Sequence, residues 1–527
     1  MQSPYLHEWV YRNAERTPSA PAIATPACRL SYGELADRVR QLAADLAESG
    51  CSAGDRVLIA LPNRPATVVA ALAVNTVGAT AVEVNRDWTP AVLGDIVARI
   101  DVRRAFVAAR DVRKWAAAFN GRRLGQLWVV APSPRSEDAA FGIVANEARV
   151  LLEDGRTVGG NSPPLRQAAR PDLDTPAAVL YTSGSTGRPH GVVQTFRNID
   201  ANTRSIVEYL SLTARDRALL TLPLYYCYGR SVLQTHLFAG GSVFLDDRFA
   251  FPQVILETMA AEACTGFAGV PQTFEILRKV ADLSSLPMPR LRYVTQAGGA
   301  MAPETTAWVR QAFSPAELFV MYGQTEATAR LAYLPPERAA DKPGSIGIPI
   351  PGVELRVVDA AGQSLPDGET GELVARGDNV TPGYLDDPDA TAAILRDGWL
   401  WTGDLASRDD EGFFYHRGRT KEILKIGGHR ASPVEIEQVV AGHPDVHDAA
   451  VIGAPDPVAG EVPIAFVVMR EAATASEADL RRFCQERLPA YAVPRGFVPV
   501  GSLPRNEAGK LMRSELHDVR GHRPASR

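Results

Sequence analysis

Cysteine is scarce in this chain and never closely paired. The 527 residues hold five, Cys28, Cys51, Cys227, Cys264 and Cys484, and no two stand in a C-x-x-C spacing. Neither a zinc ribbon nor a dithiol redox motif is therefore suggested, and scattered thiols fit a reducing, cytoplasmic setting. Long apolar runs are missing too. The most apolar stretch, 57–84, is broken by Asn63, Arg64, Pro65 and Asn75, which predicts a buried strand and helix rather than a membrane span. The opening Met-Gln-Ser-Pro-Tyr-Leu-His-Glu has no charged start followed by an apolar stretch, so no signal peptide is expected. There is no excess of positive charge either. With 56 Lys and Arg against 61 Asp and Glu, the chain offers no electrostatic case for nucleic acid. No internal repeat or low-complexity tract is visible.

What is present suits a large globular protein. The length allows roughly three or four units of about 150 residues, and a hydrophobic content of 46% with 22% charged residues allows a sizeable core. Residues 1–20 read as a helix ending near Thr17-Pro18, and 21–24 as the start of a strand. Ser31-Tyr-Gly-Glu34 is a capping box before a helix over 35–49. A strand over 56–61, a helix over 67–77 and a strand over 80–84 follow. That alternation predicts a doubly wound α/β unit. Residues 101–170 give no clear pattern. Short buried strands are expected over 217–222, 242–245, 291–295 and 318–321, between helices. From about Pro343 to Arg417 strands follow one another without helices, as a β-rich subdomain would. A final α+β unit runs from about Lys421, with a polar tail after Val519.

One stretch organises the rest. Ala177-Ala-Val-Leu180 reads as a buried strand, and Thr182, Ser183, Gly184, Ser185, Thr186 and Gly187 follow it. Glycines let a backbone approach a ligand closely, and hydroxyls with free N–H groups suit phosphate oxygens. This is not a Walker A loop, because Gly187 is followed by Arg188 and Pro189, not Lys and a hydroxyl residue. Alone it is equally a Gly/Ser surface turn. Further stretches come in order. Tyr293-Val-Thr-Gln-Ala-Gly-Gly-Ala300 ends a strand in glycines where a flat ring can meet backbone. Met321-Tyr-Gly-Gln-Thr-Glu326 delivers an aromatic face, a hydroxyl and a carboxylate, suited to a base, a phosphate and Mg²⁺. Trp401-Thr-Gly-Asp404 and Tyr415-His-Arg-Gly-Arg419 bring an Asp able to hold two ribose hydroxyls and an Arg beside it. Leu503-Pro-Arg-Asn-Glu-Ala-Gly-Lys510 presents a lysine, a compact charge for phosphate or carboxylate oxygens. Each has a plain structural reading; their fixed order over more than half the chain does not.

Together these stretches resemble the AMP-forming adenylate ligases: acyl- and aryl-CoA synthetases, adenylation domains and luciferases. The resemblance implies an N-terminal adenylate-forming domain over 1–419, of α/β layers with a β-rich subdomain at 343–417, and a small mobile α+β lid over 420–527 hinged near Lys421. It implies that residues Thr182 to Gly187 hold the ATP phosphates, with Thr186 among the catalytic residues. Gly298, Gly299, Tyr322 and Gly323 would pack the adenine, Thr325 would lie beside the phosphates, and Asp404 with Arg419 would hold the ribose. Glu326 would bind Mg²⁺, and Lys510 would bridge the acid and the α-phosphate. Lys425 and Gly428 would face the acceptor after the lid rotates. The family's loop ends Pro-Lys-Gly where this chain reads Pro189-His190-Gly191. A histidine there predicts weaker ATP binding, compensation by Arg188, or a dispensable lysine.

The acid pocket is expected around Tyr225, Tyr226, Cys227 and Gly298. Amino-acid-activating relatives carry an Asp where Cys227 stands, so a free α-amino acid is not expected; Tyr225, Tyr226 and Tyr228 suggest a flat, partly polar aromatic acid, or else core packing. The acceptor is expected to arrive separately. The Tyr-Tyr-Cys-Tyr pocket and stand-alone architecture resemble the amide synthetases of aminocoumarin antibiotic pathways, which implies an amine acceptor and an amide product. CoA is the alternative, and a separate carrier protein a third.

Overall fold

The structure is a computed structural model. It describes residues 2–119, 124–132, 145–159, 163–165, 167–182, 189–280, 283, 286–426, 429–456, 459–471, 473–505, 511–513 and 515–516. Among them lie three sheets of fourteen, seven and five strands.

The seven-stranded sheet is parallel except at one edge. Its strands Arg56–Ala60, Thr80–Glu83 and Pro176–Thr182 lie side by side, and His190–Thr195 closes the edge antiparallel to Pro176–Thr182. In the fourteen-stranded sheet, Arg217–Leu220, Gly266–Gly269, Tyr293–Gln296 and Glu317–Tyr322 run parallel. The polarity then reverses at Ala332–Leu334, which pairs antiparallel with Glu317–Tyr322 and with Ser345–Pro349. The β-rich stretch therefore continues the parallel sheet edge to edge. Its long strands, Val353–Val358, Gly371–Gly377, Trp399–Arg408 and Phe414–Arg419, form an antiparallel ladder.

The two large sheets share one core, and among the helices packed into it are three from the first 76 residues. Leu6–Arg16 ends where expected, just before Thr17-Pro18, but starts later, after Pro4. Tyr32–Glu48 starts at the anticipated capping box: Ser31 Oγ accepts from Glu34 N–H, and Glu34 accepts from Ser31 N–H at 2.8 Å. Pro65–Thr76 is apolar on nearly every face and nearly all buried, as a helix walled in on all sides must be. Val57, Ile59 and Ala81 from one sheet meet Leu220, Val243 and Leu245 from the other in this cluster.

A buried ion pair ties the sheets together. Arg230, on the helix Cys227–Ala239, meets Glu83 at the end of its strand, and the two are 5% and 3% exposed. The final unit, a five-stranded sheet with the helices Pro433–Ala441 and Glu477–Gln485, has its own core. It touches the rest through Arg470–Glu304 at 2.6 Å and through Ser432 Oγ, which donates to the Arg417 carbonyl. No helix among the described residues is long and apolar enough to cross a membrane.

Breaking a buried ion pair strands a charge, at about 3–5 kcal/mol. Arg230→Leu is expected to lower unfolding stability by that amount in urea titration. The double variant Arg230→Leu/Glu83→Leu is expected to recover most of it; a double variant as weak as the single would show that packing, not charge, accounts for the loss.

Candidate active site

The C-terminal ends of the two central parallel strands open onto the antiparallel ladder, and most of the singled-out residues meet there. Tyr293–Gln296 leads into Gly298 and Gly299. Gly298 has φ +90°, a conformation side chains rarely adopt, and Gln296 Nε2 donates to the Gly299 carbonyl at 2.7 Å. Glu317–Tyr322 leads into Gly323, where a Cβ would collide with the Ala329 carbonyl at 2.1 Å. Only glycine lets the chain turn there, and the turn places Thr325 and Glu326 in a short 3₁₀ segment, Thr325–Ala327.

Facing them, Asp404 and Arg419 stand opposite each other on neighbouring strands. Asp404 is 2% exposed. Tyr322 donates its hydroxyl to Asp404 Oδ2 at 2.6 Å, Arg419 Nε lies 2.9 Å from Oδ1, and His416 Nε2 lies 3.5 Å from it. Burial alone would raise the carboxyl's pKa, but His416, Arg419 and Tyr322 outweigh it and hold the group below the usual carboxylate range. The same contact, with burial, pushes the Tyr322 phenol well up. Asp404 Oδ1 has no hydrogen-bond donor of good geometry among the described residues, so it retains capacity to accept from a ligand hydroxyl.

The glycine loop springs from the edge of the seven-stranded sheet. Thr182 pairs with His190 across the hairpin. Ser183, Gly184, Ser185, Thr186 and Gly187 lie outside the described residues, as does Arg188. His190 does not stand alone. Its Nδ1 is 3.3 Å from Asp387 Oδ2, and its ring lies 4.9 Å from that of Tyr384. Tyr384 in turn donates to Glu326 Oε1 at 2.8 Å. Burial, then the Glu326 charge, raises the Tyr384 phenol. Tyr384 and His416 carried no signal that sequence reasoning used: Tyr384 follows Gly383 far from any ligand motif, and His416 sits inside the Tyr415–Arg419 stretch unremarked.

The site suits a nucleotide and one divalent ion. Mg²⁺ typically binds through one or two carboxylates together with substrate phosphates. Glu326 supplies one, and no group of three potential metal ligands occurs among the described residues.

At the expected acid pocket, the tyrosines divide. Tyr225 and Tyr226 are half-buried with ring centroids 4.7 Å apart. Tyr228 is core: its hydroxyl bonds Thr295 Oγ1 at 2.9 Å and the Arg330 guanidinium covers its ring at 4.2 Å. Cys227 opens the helix Cys227–Ala239. Thr325 Oγ1 donates to its sulfur at 3.4 Å, and burial raises its thiol. In the final unit, Lys425 is exposed on the strand Leu424–Ile426, its N–H donating to Glu461 at 2.8 Å. Lys421 lies in the turn Thr420–Glu422. Gly428 and Lys510 lie outside the described residues.

Comparison with known proteins agrees with this geometry. The sequence matches the AMP-binding enzyme model over residues 10–385 and the AMP-binding enzyme C-terminal domain over 435–510. It is 34% identical to the sulfoacetate–CoA ligase of Cupriavidus necator over 507 residues, 95% of each chain. Among solved structures, the o-succinylbenzoate CoA synthetase of Bacillus subtilis in complex with its acyl-adenylate superposes with TM-score 0.80 at 28% identity, covering 96% of this chain and 97% of that one. The amide bond synthetase McbA of Marinactinospora thermotolerans does so with TM-score 0.85 at 25% identity, covering 98% and 99%.

Losing a hydrogen-bonded charge typically costs about 1.5–3 kcal/mol. Asp404→Asn is expected to weaken ATP binding roughly 10- to 100-fold by calorimetric titration. The depressed carboxyl also sets a pH dependence: its stabilisation is present above the unfolded value of about 4 and is lost as pH falls through the lower folded value. ATP binding unchanged in the variant would remove Asp404 from the nucleotide site.

Proposed function

The chain belongs to the AMP-binding enzyme family, and from that premise we propose that this AMP-forming acid ligase passes its activated acid to CoA as a thioester. The observation that carries the adenylation step is the junction where Gly298, Tyr322, Glu326, Asp404 and Arg419 converge at the strand ends. The preference for CoA over an amine rests on relatives: the sulfoacetate and o-succinylbenzoate enzymes are named as CoA enzymes. The amine acceptor inferred from the Tyr-Tyr-Cys-Tyr segment keeps one support, the fold-level match to an amide bond synthetase.

In the proposed reaction the substrate carboxylate oxygen attacks the α-phosphorus of ATP. An acyl–phosphate anhydride forms, the bond to the β-phosphate oxygen breaks, and pyrophosphate leaves. The acceptor thiol then attacks the acyl carbon, gives up its proton, and AMP departs. Asp404, braced by Arg419, would hold the ribose hydroxyls, with Gly298, Gly299, Tyr322 and Gly323 against the base. Thr182 and the residues through Gly187, Thr186 included, would cradle the phosphates beside Thr325. Glu326 would hold Mg²⁺, which neutralises charge on the departing pyrophosphate. Lys510 would bridge carboxylate and α-phosphate, where fixed donors are worth most because charge spreads there in the transition state. Rotation of the final unit about Lys421 would then exchange Lys510 for the face carrying Lys425 and Gly428. Tyr225, Tyr226 and Cys227 would line the entry of the acid.

Two measurements test this. Acid-dependent pyrophosphate release, run with CoA, with an aromatic amine and with neither, is expected to be stimulated by CoA with a thioester seen by mass spectrometry. Stimulation by the amine alone, with amide formed, would replace CoA as acceptor. Lys510→Ala is expected to slow adenylate formation about 10²–10³-fold while sparing thioester formation from pre-made acyl-adenylate. If both half-reactions keep their rates, Lys510 has another role.

A further inference from the structure

Among the described residues Arg330 is a buried cation without a counter-ion. It is 3% exposed. Its Nε meets the Met321 sulfur at 3.3 Å, Nη1 donates to the Ala329 carbonyl at 3.2 Å, and the guanidinium lies 4.2 Å over Tyr228. No carboxylate among the described residues pairs with it, whereas the buried Arg230 has Glu83 and the buried Arg86 has Asp111. A guanidinium stays charged in a protein, and an unpaired buried charge costs several kcal/mol. A cation–π contact returns about 2 kcal/mol, short of that cost.

The guanidinium borders a cavity of about 20 Å³, lined also by Ser231, Thr295, Met321, His236 and Tyr293. The rest of the lining is uncharged and mostly apolar, with hydroxyls from Ser231, Thr235, Thr295 and Tyr293 and the ring of His236 as its polar groups. His236 is held neutral by burial, with Nδ1 on the Val232 carbonyl and Nε2 on the Tyr293 hydroxyl at 2.9 Å. Several residues that line or border the cavity are near neighbours in sequence of residues of the site. Thr295 precedes Gly298 by three residues, about 10 Å of strand; Met321 directly precedes Tyr322; and Tyr228 directly follows Cys227, whose sulfur touches Thr325.

Resting on the acid-ligase reading above, we infer that Arg330 binds a second anionic group of the acid substrate, a carboxylate or sulfonate, within about 10 Å of the carboxylate being activated. The guanidinium's fork matches such a group, and Ser231 and Thr295 offer hydroxyls beside it. A cavity this small has room for about one water by that measure, so only an oxygen edge of the headgroup would enter it, in place of that water, and the rest would stay outside. The body of the acid would lie above it, toward Tyr225 and Tyr226.

The test uses wild-type enzyme with ATP, Mg²⁺ and CoA and three matched acid pairs: succinate against butyrate, sulfoacetate against methylsulfonylacetate, and 2-succinylbenzoate against 4-oxo-4-phenylbutanoate. Pyrophosphate release is expected to favour the doubly anionic member of at least one pair by about 100-fold or more in kcat/KM. Arg330→Met is expected to abolish that preference, chiefly through KM, while sparing the singly charged partner. Arg330→Lys, which keeps the charge but loses the fork, is expected to fall between; it supplies the readout if the methionine variant does not fold. Singly charged acids preferred in every pair, or a preference that survives Arg330→Met, would overturn the inference and leave the ligase reading standing. No acid-dependent release with any compound would remove both.

Discussion

The structure depends on one contact between two kinds of sheet. Tyr322 ends a parallel strand; Asp404 lies within an antiparallel ladder contributed by residues about eighty positions later; and a 2.6 Å hydrogen bond joins them. At 2% exposure the carboxylate could not remain ionised without Arg419, His416 and Tyr322 around it. The requirement runs both ways. The ladder supplies the charge, the parallel strand supplies the aromatic face, and neither is complete alone. Ala332–Leu334, where the pairing changes from parallel to antiparallel, makes the meeting possible.

That junction explains which features were legible in the sequence. Local chemistry was: the Ser31–Glu34 capping box, the glycines at strand ends, and the order Tyr322, Glu326, Asp404, Arg419 all follow from neighbours a few residues apart. Pairing between distant segments was not. Residues 343–417 read as a separate β-rich piece because nothing local reveals that Ser345–Pro349 bonds to Ala332–Leu334 and so extends the main sheet. The stretch 101–170 was opaque for a related reason. Ala145–Leu152 has one partner strand among the described residues, Leu124–Ala131, besides a single bridge from Leu151 to Thr157, and Asn146, Glu147 and Arg149 interrupt the apolar alternation in the sequence.

The acid pocket shows the same division. Tyr225, Tyr226 and Tyr228 looked equivalent as sequence. The helix beginning at Cys227 separates them, sending Tyr228 into the core against Thr295 and Arg330 and leaving the other two at the opening. Arg330 itself belongs to no recognisable motif. Its importance lies in what is missing around it among the described residues, a counter-ion, and absence of a partner is a property of the folded chain alone.

His190 stands where the family's glycine loop carries a lysine, and its surroundings suggest a change of task. A lysine brings a mobile charge on a long stem. The histidine is instead held between Asp387 and the ring of Tyr384, and Tyr384 bonds Glu326. The backbone agrees: Val193 N–H donates to the Gly383 carbonyl and Leu385 N–H to the Gly191 carbonyl, so the segment bearing Tyr384 lies against the strand that leaves the loop. In the proposed reaction, the loop that grips phosphate and the carboxylate that holds Mg²⁺ therefore share one support. Donors and charges aimed at a developing charge are most effective when they need no reorganisation. A rigid ring placed between loop and carboxylate serves that end by fixing geometry, where the lysine would serve it by supplying charge.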